Sequence, residues 1–452
     1  MTVRGLFLSG RKFLFAGKGL TFRTGKYFGQ AVLVGVFAGF VVVGFRYLID
    51  LGYELIFVRL GRRGAEAELG FAWHVLRTLL PAMGALLGYV LIKRFDSLEH
   101  ARGTDSAILA YHRRHGYVPP AVLPIKSVAS VLTVASGGSA GYEGPVTLLG
   151  ASCGSVVASW FDLSRRARRI LMTAGISAGI AALFQAPLAG AIFGFEVLYS
   201  SSDIEYDCIL PCFVASTVAY TIFAYFFGWG ALFPMPTDIA YSNGLRLLPY
   251  FVLAFVVTFG VRFYIGCYTS VERSFGEMRI PGWLKVMLGG LVTGVIGFFL
   301  PSILGTSYPV IRQTLTEHLH GQSVCIMLLA VFFAKTMATA FTVGSGGSGG
   351  LFAPAIVCGG ALGGATGIFF ARVLPGSWGV HPAAFALVGM AGFLASAIRT
   401  PLTAIVMVAE ISGNHQLIVP AMWVCGIAFW LNNGWTLYRS QPHNRDASPV
   451  HE

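Results

Sequence analysis

Long apolar runs alternate with short polar connections along almost the whole chain. Residues 29–50, 168–199, 247–270, 283–304 and 384–409 are each long enough, and poor enough in charge, to cross a bilayer as a helix. Other apolar segments are short or interrupted by Gly and Pro. Such breaks are tolerated at membrane depth only where the freed backbone is buried in protein or lines a polar cavity. The pattern predicts an all-α, polytopic membrane protein built partly from discontinuous helices, as transporters and channels are.

One broken pattern occurs twice. Residues 137–145 read GGSAGYEGP and residues 346–354 read GGSGGLFAP, 209 positions apart (137 to 346). Pro145 is followed by Gly150 and Gly154, and Pro354 by Gly359 and Gly363, at equal spacing. Further on, APLAGAIFGFE (186–196) matches TPLTAIVMVAE (400–410). Agreement at two places in the same order predicts a duplicated membrane domain over 29–440, with halves at roughly 76–230 and 283–435. Breaks at corresponding positions of two halves point to the transport site. The basic run RRARR (165–169) follows the first break, whereas its counterpart PGSWGVHP (375–382) has no basic residue. The positive-inside rule then puts these loops on opposite faces, which predicts inverted halves.

Proline costs little at a helix start, where its missing N–H would have had no partner. Pro145 and Pro354 are therefore expected at the first or second position of a helix. Two helix N-termini meeting near mid-membrane present bare amides and positive dipole ends, a setting for an anion held weakly enough to leave. Glu143 lies in the first break, and Phe352 takes the matching place in the second. A carboxylate there can cap the helix, or it can occupy the anion site as a tethered anion that protonation releases. The twin's lack of a carboxylate favours the second role.

Composition narrows the partners. Of 452 residues, 55% are hydrophobic and 12% charged, with mean hydropathy +0.69. Soluble domains carry roughly 25% charged residues. The net charge of +12 is spread over loop edges, with no soluble module to bind nucleic acid. It fits topology-setting and contact with anionic lipid. Residues 1–28, with Arg4, Arg11, Lys12, Lys18, Arg23 and Lys26, read as a basic cytoplasmic surface segment, not a cleaved signal. Residues 441–452 read as a polar tail. Lys126 and Lys335 interrupt apolar segments, where they either raise the local potential for anions or snorkel to an interface. The run HRRHG (112–116) lacks carboxylate or cysteine partners, and no metal or cofactor is expected. Both breaks also satisfy G-x-S-x-G, so an intramembrane serine hydrolase built on Ser139 is the alternative of another class. All ten histidines lie in or beside polar connections, which leaves that serine without a base.

These motifs resemble the CLC family of chloride channels and proton–chloride antiporters, over about residues 100–440. GYEGP (141–145) is similar to the family's G-(K/R)-E-G-P, GLFAP (350–354) to its G-x-F-x-P, and GWTLY (434–438) to its pore-tyrosine segment. The resemblance implies a homodimer with one pore per subunit, made by inverted halves. It implies Glu143 as gate and proton site. It implies anion contacts from Tyr142, Glu143, Gly144, Leu351, Phe352 and Ala353, with Tyr438 as a hydroxyl ligand. The regulatory cytoplasmic domain of larger members is not expected after residue 440. A prokaryotic-type plasma membrane and a cytoplasmic N-terminus are.

The departures from the family carry information. ARGTD (101–105) stands where the family has G-S-G-I-P, so Arg102 takes the place of a serine ligand. Arg102 either strengthens the anion site or pairs with Asp105. Tyr142 replaces a basic residue. Val197 stands where antiporters keep an inner proton glutamate, with Glu196 one place before it as a candidate substitute or a structural carboxylate. Pro145 is retained, which argues against the fluoride-exporting branch. The expectation is transport of chloride or similar anions, channel-like or weakly proton-coupled, with strict proton/chloride antiport as the alternative.

Overall fold

A computed structural model of the chain describes residues 27–59, 70–95, 103–235, 244–316, 322–375 and 378–451. Most of the basic segment 1–28 lies outside the described residues, and so does Arg102.

The described residues are helical. In chain order the helices are α1 (Phe28–Tyr53), α2 (Gly70–Lys93), α3 (Thr104–Arg113), α4 (Val122–Ala135), α5 (Glu143–Trp160), α6 (Arg165–Phe184), α7 (Pro187–Glu196) and α8 (Ile209–Phe227). They continue as α9 (Leu248–Glu277), α10 (Gly282–Phe299), α11 (Tyr308–Thr316), α12 (Gln322–Gly344), α13 (Phe352–Val373), α14 (Pro382–Ala397), α15 (Pro401–Ser412) and α16 (Ile418–Leu431). Among the described residues, 8 helices are long and apolar enough to cross a membrane.

The duplication is visible in the packing. The run α4–α8 recurs as α12–α16. In each half the helix after the break lies against the next one, α5 on α6 and α13 on α14. Glycine lets their backbones touch. A Cβ on Gly150 would stand 2.1 Å from the Gly175 carbonyl oxygen, and one on Gly359 2.5 Å from that of Gly389. These helices are buried nearly all round, so small residues fill both faces rather than one stripe.

Two runs that read as continuous spans are in fact broken. Over 168–199, α6 stops at Phe184, Gln185 turns left-handed (φ 54°), and α7 starts at Pro187. Over 384–409, Arg399 turns left-handed (φ 62°) between α14 and α15, which starts at Pro401. A left-handed residue ends the helix, and the proline that follows cannot continue it but can begin the next. Pro145 and Pro354 stand third in α5 and α13, slightly deeper than expected. They remain within the first turn, whose amides have no helical partner.

The halves are related by a two-fold operation, and the contacts are reciprocal. Gly141 and Gly350 form an antiparallel bridge, each amide donating to the other's carbonyl at 2.8 Å. Ser130 bonds Ser348 at 3.0 Å, and the counterpart pair Ser139–Thr339 bonds at 2.9 Å. Glu196, the last residue of α7, accepts the Leu402 and Thr403 amides at 2.8 Å each and the Thr403 hydroxyl at 2.6 Å. Glu410, near the end of α15, accepts the Leu188 and Ala189 amides at 3.0 and 2.8 Å. Each half's glutamate thus caps the start of the other half's short helix. That requires α7 and α15 to run antiparallel.

The polar tail is docked against the helices. Asp105 accepts the Ser440 amide at 2.9 Å and its hydroxyl at 3.0 Å. The Gln441 side chain donates to the Val197 and Ile398 carbonyls at 2.8 and 3.2 Å. Further along, Ser448 bonds His112 Nδ1 at 2.8 Å, and the Arg445 amide donates to Asp203 at 2.9 Å. His112 therefore belongs to the end of α3 and is buried, not part of a loop. Burial lowers its pKa to about 4, so it sits neutral between Ser448 and the Leu198 carbonyl.

Candidate anion site

The two glycine breaks meet at the bridge between Gly141 and Gly350, and each then opens a helix. Glu143 begins α5 and Phe352 begins α13, so both starts point their free amides into one small region. The backbones are in contact there. A Cβ on Gly144 would lie 2.9 Å from the Gly350 Cα, and one on Gly103 would lie 3.1 Å from the Gly144 carbonyl carbon.

Glu143 is buried, and its carboxylate is already used as an anion would be. One oxygen accepts the Ala353 amide at 3.1 Å, from the first turn of the opposite half's helix. The other accepts the Tyr308 hydroxyl at 2.5 Å. A carboxylate capping its own helix would bond its own first turn. This one engages its own amide, but it reaches across to α13 as well. The break geometry makes room for it, since a Cβ on Gly141 would stand 2.1 Å from the Glu143 Oε2 atom.

Phe352, the twin of Glu143, has no polar task. It is fully buried, with its ring 5.2 Å from Phe184 and 5.8 Å from Phe193, centroid to centroid. Leu351 offers its carbonyl to the Tyr264 hydroxyl at 3.1 Å, which holds the start of α13 in place. The Tyr142 ring packs edge-on to Phe45 of α1 at 6.1 Å.

On the other side of the bridge lies a cavity of about 480 Å³. Gly144, Gly350, Leu351, Thr104 and Tyr438 line it together with Lys93, Lys126, Lys285 and Arg439. Among the described residues, those four cations face two carboxylates on its wall, Asp105 and Glu272. Arg439 pairs with Glu272 at 2.7 Å. The wall of the cavity thus carries an excess of positive charge. The clasp between Asp105 and Ser440 fixes the segment that presents Tyr438. That bond engages Asp105 with the tail.

The structure brings Glu143, Gly144, Leu351, Phe352, Ala353 and Tyr438 to one place, and puts Glu196 and Val197 elsewhere. Glu196 is spent on the start of α15. Val197 is fully buried, its carbonyl covered by Gln441. The serines of the hydrolase alternative bond hydroxyls rather than a histidine: Ser139 bonds Thr339, and Ser348 bonds Ser130. Among the described residues no group of three or more metal-ligating side chains assembles. Tyr308 was missed by sequence reasoning. It lies 165 positions from Glu143, outside every motif, and only the fold brings the two together.

The family model described as voltage gated chloride channel matches residues 83–433. A putative chloride channel protein ClcB-like from Ralstonia nicotianae is 31% identical over 353 residues, covering 77% of this chain and 80% of that protein. An H(+)/Cl(-) exchange transporter ClcA from Klebsiella pneumoniae is 30% identical over 415 residues, covering 88% of this chain and 83% of that protein. The crystal structure of a slow cyanobacterial Cl-/H+ antiporter superposes with a TM-score of 0.79 at 25% identity, covering 92% of this chain and 95% of that one.

Proposed function

The chain belongs to the voltage gated chloride channel family, CLC, a family of membrane transporters and channels and not of enzymes, and on that premise we propose that it passes chloride or a similar small anion through a path gated by Glu143. The observation that carries this reading is the bond from the Ala353 amide to the Glu143 carboxylate. The side chain sits where a free anion would find a helix N-terminus. Ionised, it competes with the anion. Protonated, it loses its hold on the amide and clears the path.

The sign of the pH dependence follows. Flux rises as pH falls, because protonation empties the site of its tethered charge. The cationic cavity is the cytoplasmic vestibule, a reading supported by Lys93, Lys285 and Arg439 on its wall and by the basic start of α6. Tyr142, Gly144, Leu351 and Phe352 contribute backbone to the anion path, and Tyr438 its hydroxyl. One chain encloses a complete site, so a homodimer would carry two independent pores.

Passage is channel-like or weakly proton-coupled in this reading. Its support is local: Val197 carries no proton, and Glu196 has a full set of structural partners. Strict antiport is the competing reading, favoured by the identity to the exchange transporter. Paired chloride and pH recording on proteoliposomes with a chloride gradient separates them. Chloride flux without a fixed proton ratio supports the proposal, and uphill proton movement at a constant ratio supports antiport. Glu143→Gln should keep its chloride flux and lose its pH dependence. A dead variant, or an unaltered pH profile, would remove the gate.

A further inference from the structure

We propose that Tyr308 is a second element of the gate: its hydroxyl, aimed by a strap that Lys335 pins, locks the Glu143 carboxylate into the anion site. The proposal rests on the reading of Glu143 as the gate and adds the group that sets how firmly the gate stays shut.

The strap joins α10 to α11. It runs through a short turn at Pro301–Ile303 and reaches Tyr308, the first residue of α11. Lys335 is fully buried in α12. It does not snorkel to an interface. Its ammonium donates to the Ile303 carbonyl at 3.0 Å and the Gly305 carbonyl at 2.5 Å. Gly305 in turn donates its amide to Gly137 in the first break, at 3.3 Å. The strap is therefore tied to both halves.

Two left-handed residues then swing the chain back towards the site, Gly305 (φ 64°) and Ser307 (φ 64°). Glycine takes that conformation freely, but serine takes it at a cost. The Tyr308 ring rests edge-on against Phe233 at 5.6 Å, and the Phe233 amide is itself held by the Ile411 carbonyl at 2.7 Å. A tyrosine fixed by backbone, ring and strap has little freedom to point its hydroxyl elsewhere.

Among the described residues, the titratable groups that face Glu143 are Tyr308 from α11, Lys335 from α12, Tyr264 from α9, Tyr438 after α16 and its own neighbour Tyr142. Of these, Tyr308 is the one whose hydroxyl donates to the carboxylate. A hydroxyl bonded to an ionised carboxylate is a charge-assisted bond, stronger than a neutral one. It is lost when the carboxylate swings out, so it stabilises the shut state alone.

The test is chloride flux against pH in proteoliposomes for the full chain, Tyr308→Phe, Lys335→Met, Glu143→Ala and the Tyr308→Phe/Glu143→Ala double variant. Tyr308→Phe keeps the ring on Phe233 and should elute and melt as the unmodified protein does. Its flux midpoint should move to higher pH by about one unit, the tenfold change expected when a carboxylate loses one strong donor. Lys335→Met should move the midpoint the same way. In the Glu143→Ala background, Tyr308→Phe should change nothing. An unmoved midpoint in both single variants overturns the proposal, as does an equal change with and without Glu143. The gate reading fails separately, if Glu143→Ala retains the original pH profile.

Discussion

The two glycine breaks share a backbone and differ in what they present. Both turn on the same frame, both pair through Gly141 and Gly350, and both open a buried helix. The first ends in Glu143, which reaches across to the Ala353 amide. The second ends in Phe352, which is packed between Phe184 and Phe193. In the proposed reading symmetry builds the site, and the one asymmetric residue, Glu143, makes it responsive. A phenyl ring at both places would leave amides without control. A carboxylate at both would put two charges in one small dry region, where like charges repel strongly.

The comparison breaks most sharply at the bridge itself. A Cβ on Gly350 meets only backbone: the Gly144 nitrogen at 2.7 Å, its Cα at 3.1 Å and the Gly141 oxygen at 3.3 Å. A Cβ on Gly141 meets the Glu143 Oε2 atom at 2.1 Å, which can swing aside, and then the Ala353 Cβ and nitrogen at 2.8 and 3.0 Å, which must move with the start of α13. Gly350→Ala is therefore expected to abolish the folded protein, read as loss of the monodisperse peak in detergent. Gly141→Ala is expected to fold with a lower melting temperature, since α13 must shift at Ala353, and to lose most of its pH response, because the displaced carboxylate no longer reaches the Ala353 amide. Equal behaviour of the two variants would show that the breaks are not functionally distinct.

The crossed glutamates test the symmetry at the next level. Glu196 is buried and satisfies two amides and a hydroxyl, whereas Glu410 is half-buried and satisfies two amides. Each buried polar group left without a partner costs about 1–3 kcal/mol. Glu196→Ala should then destabilise by roughly 3 kcal/mol or more, and Glu410→Ala, where its amides lie nearer the surface, by about 1 kcal/mol. Thermal melts in detergent measure both. The same pair addresses the inner proton route. Glu196→Gln keeps an acceptor for the cap and should leave the ratio of proton to chloride movement unchanged. A changed ratio would make Glu196 a carrier of protons as well as a cap.

The sequence already showed the frame of the site. The twin breaks and the pairing of 186–196 with 400–410 are read from glycine, proline and glutamate at fixed spacing. Those residue types do at each place what few others can. The reciprocal capping by Glu196 and Glu410 was foreshadowed by the echo between them. Contacts made by ordinary residues at a distance could not be read. Gln185 and Arg399 in left-handed turns look like interior polar residues of a span, so two broken runs passed as continuous helices. Gln441 over Val197, and Tyr308 on Glu143, join segments far apart in the chain and carry no motif.

The smallest expected effect lies with the paired lysines, which occupy the same position in the two halves. Lys126 lines the cationic cavity, whereas Lys335 is inserted into carbonyls behind Glu143. In the proposed reading one acts on anions arriving and the other on the gate. Lys126→Gln should slow chloride flux roughly twofold at low ionic strength, through the lost attraction alone. Lys126 is itself largely buried but lines the cavity, so at about 1 M salt, where the Debye length falls to about 3 Å, the difference should shrink. Lys335→Gln should alter the pH profile and keep that alteration at any salt, because a buried contact is poorly screened. If the Lys126 effect persisted undiminished in high salt, the lysine would be holding structure and the cavity would not be steering anions. If the Lys335 effect faded with salt, the strap would not be what holds the gate.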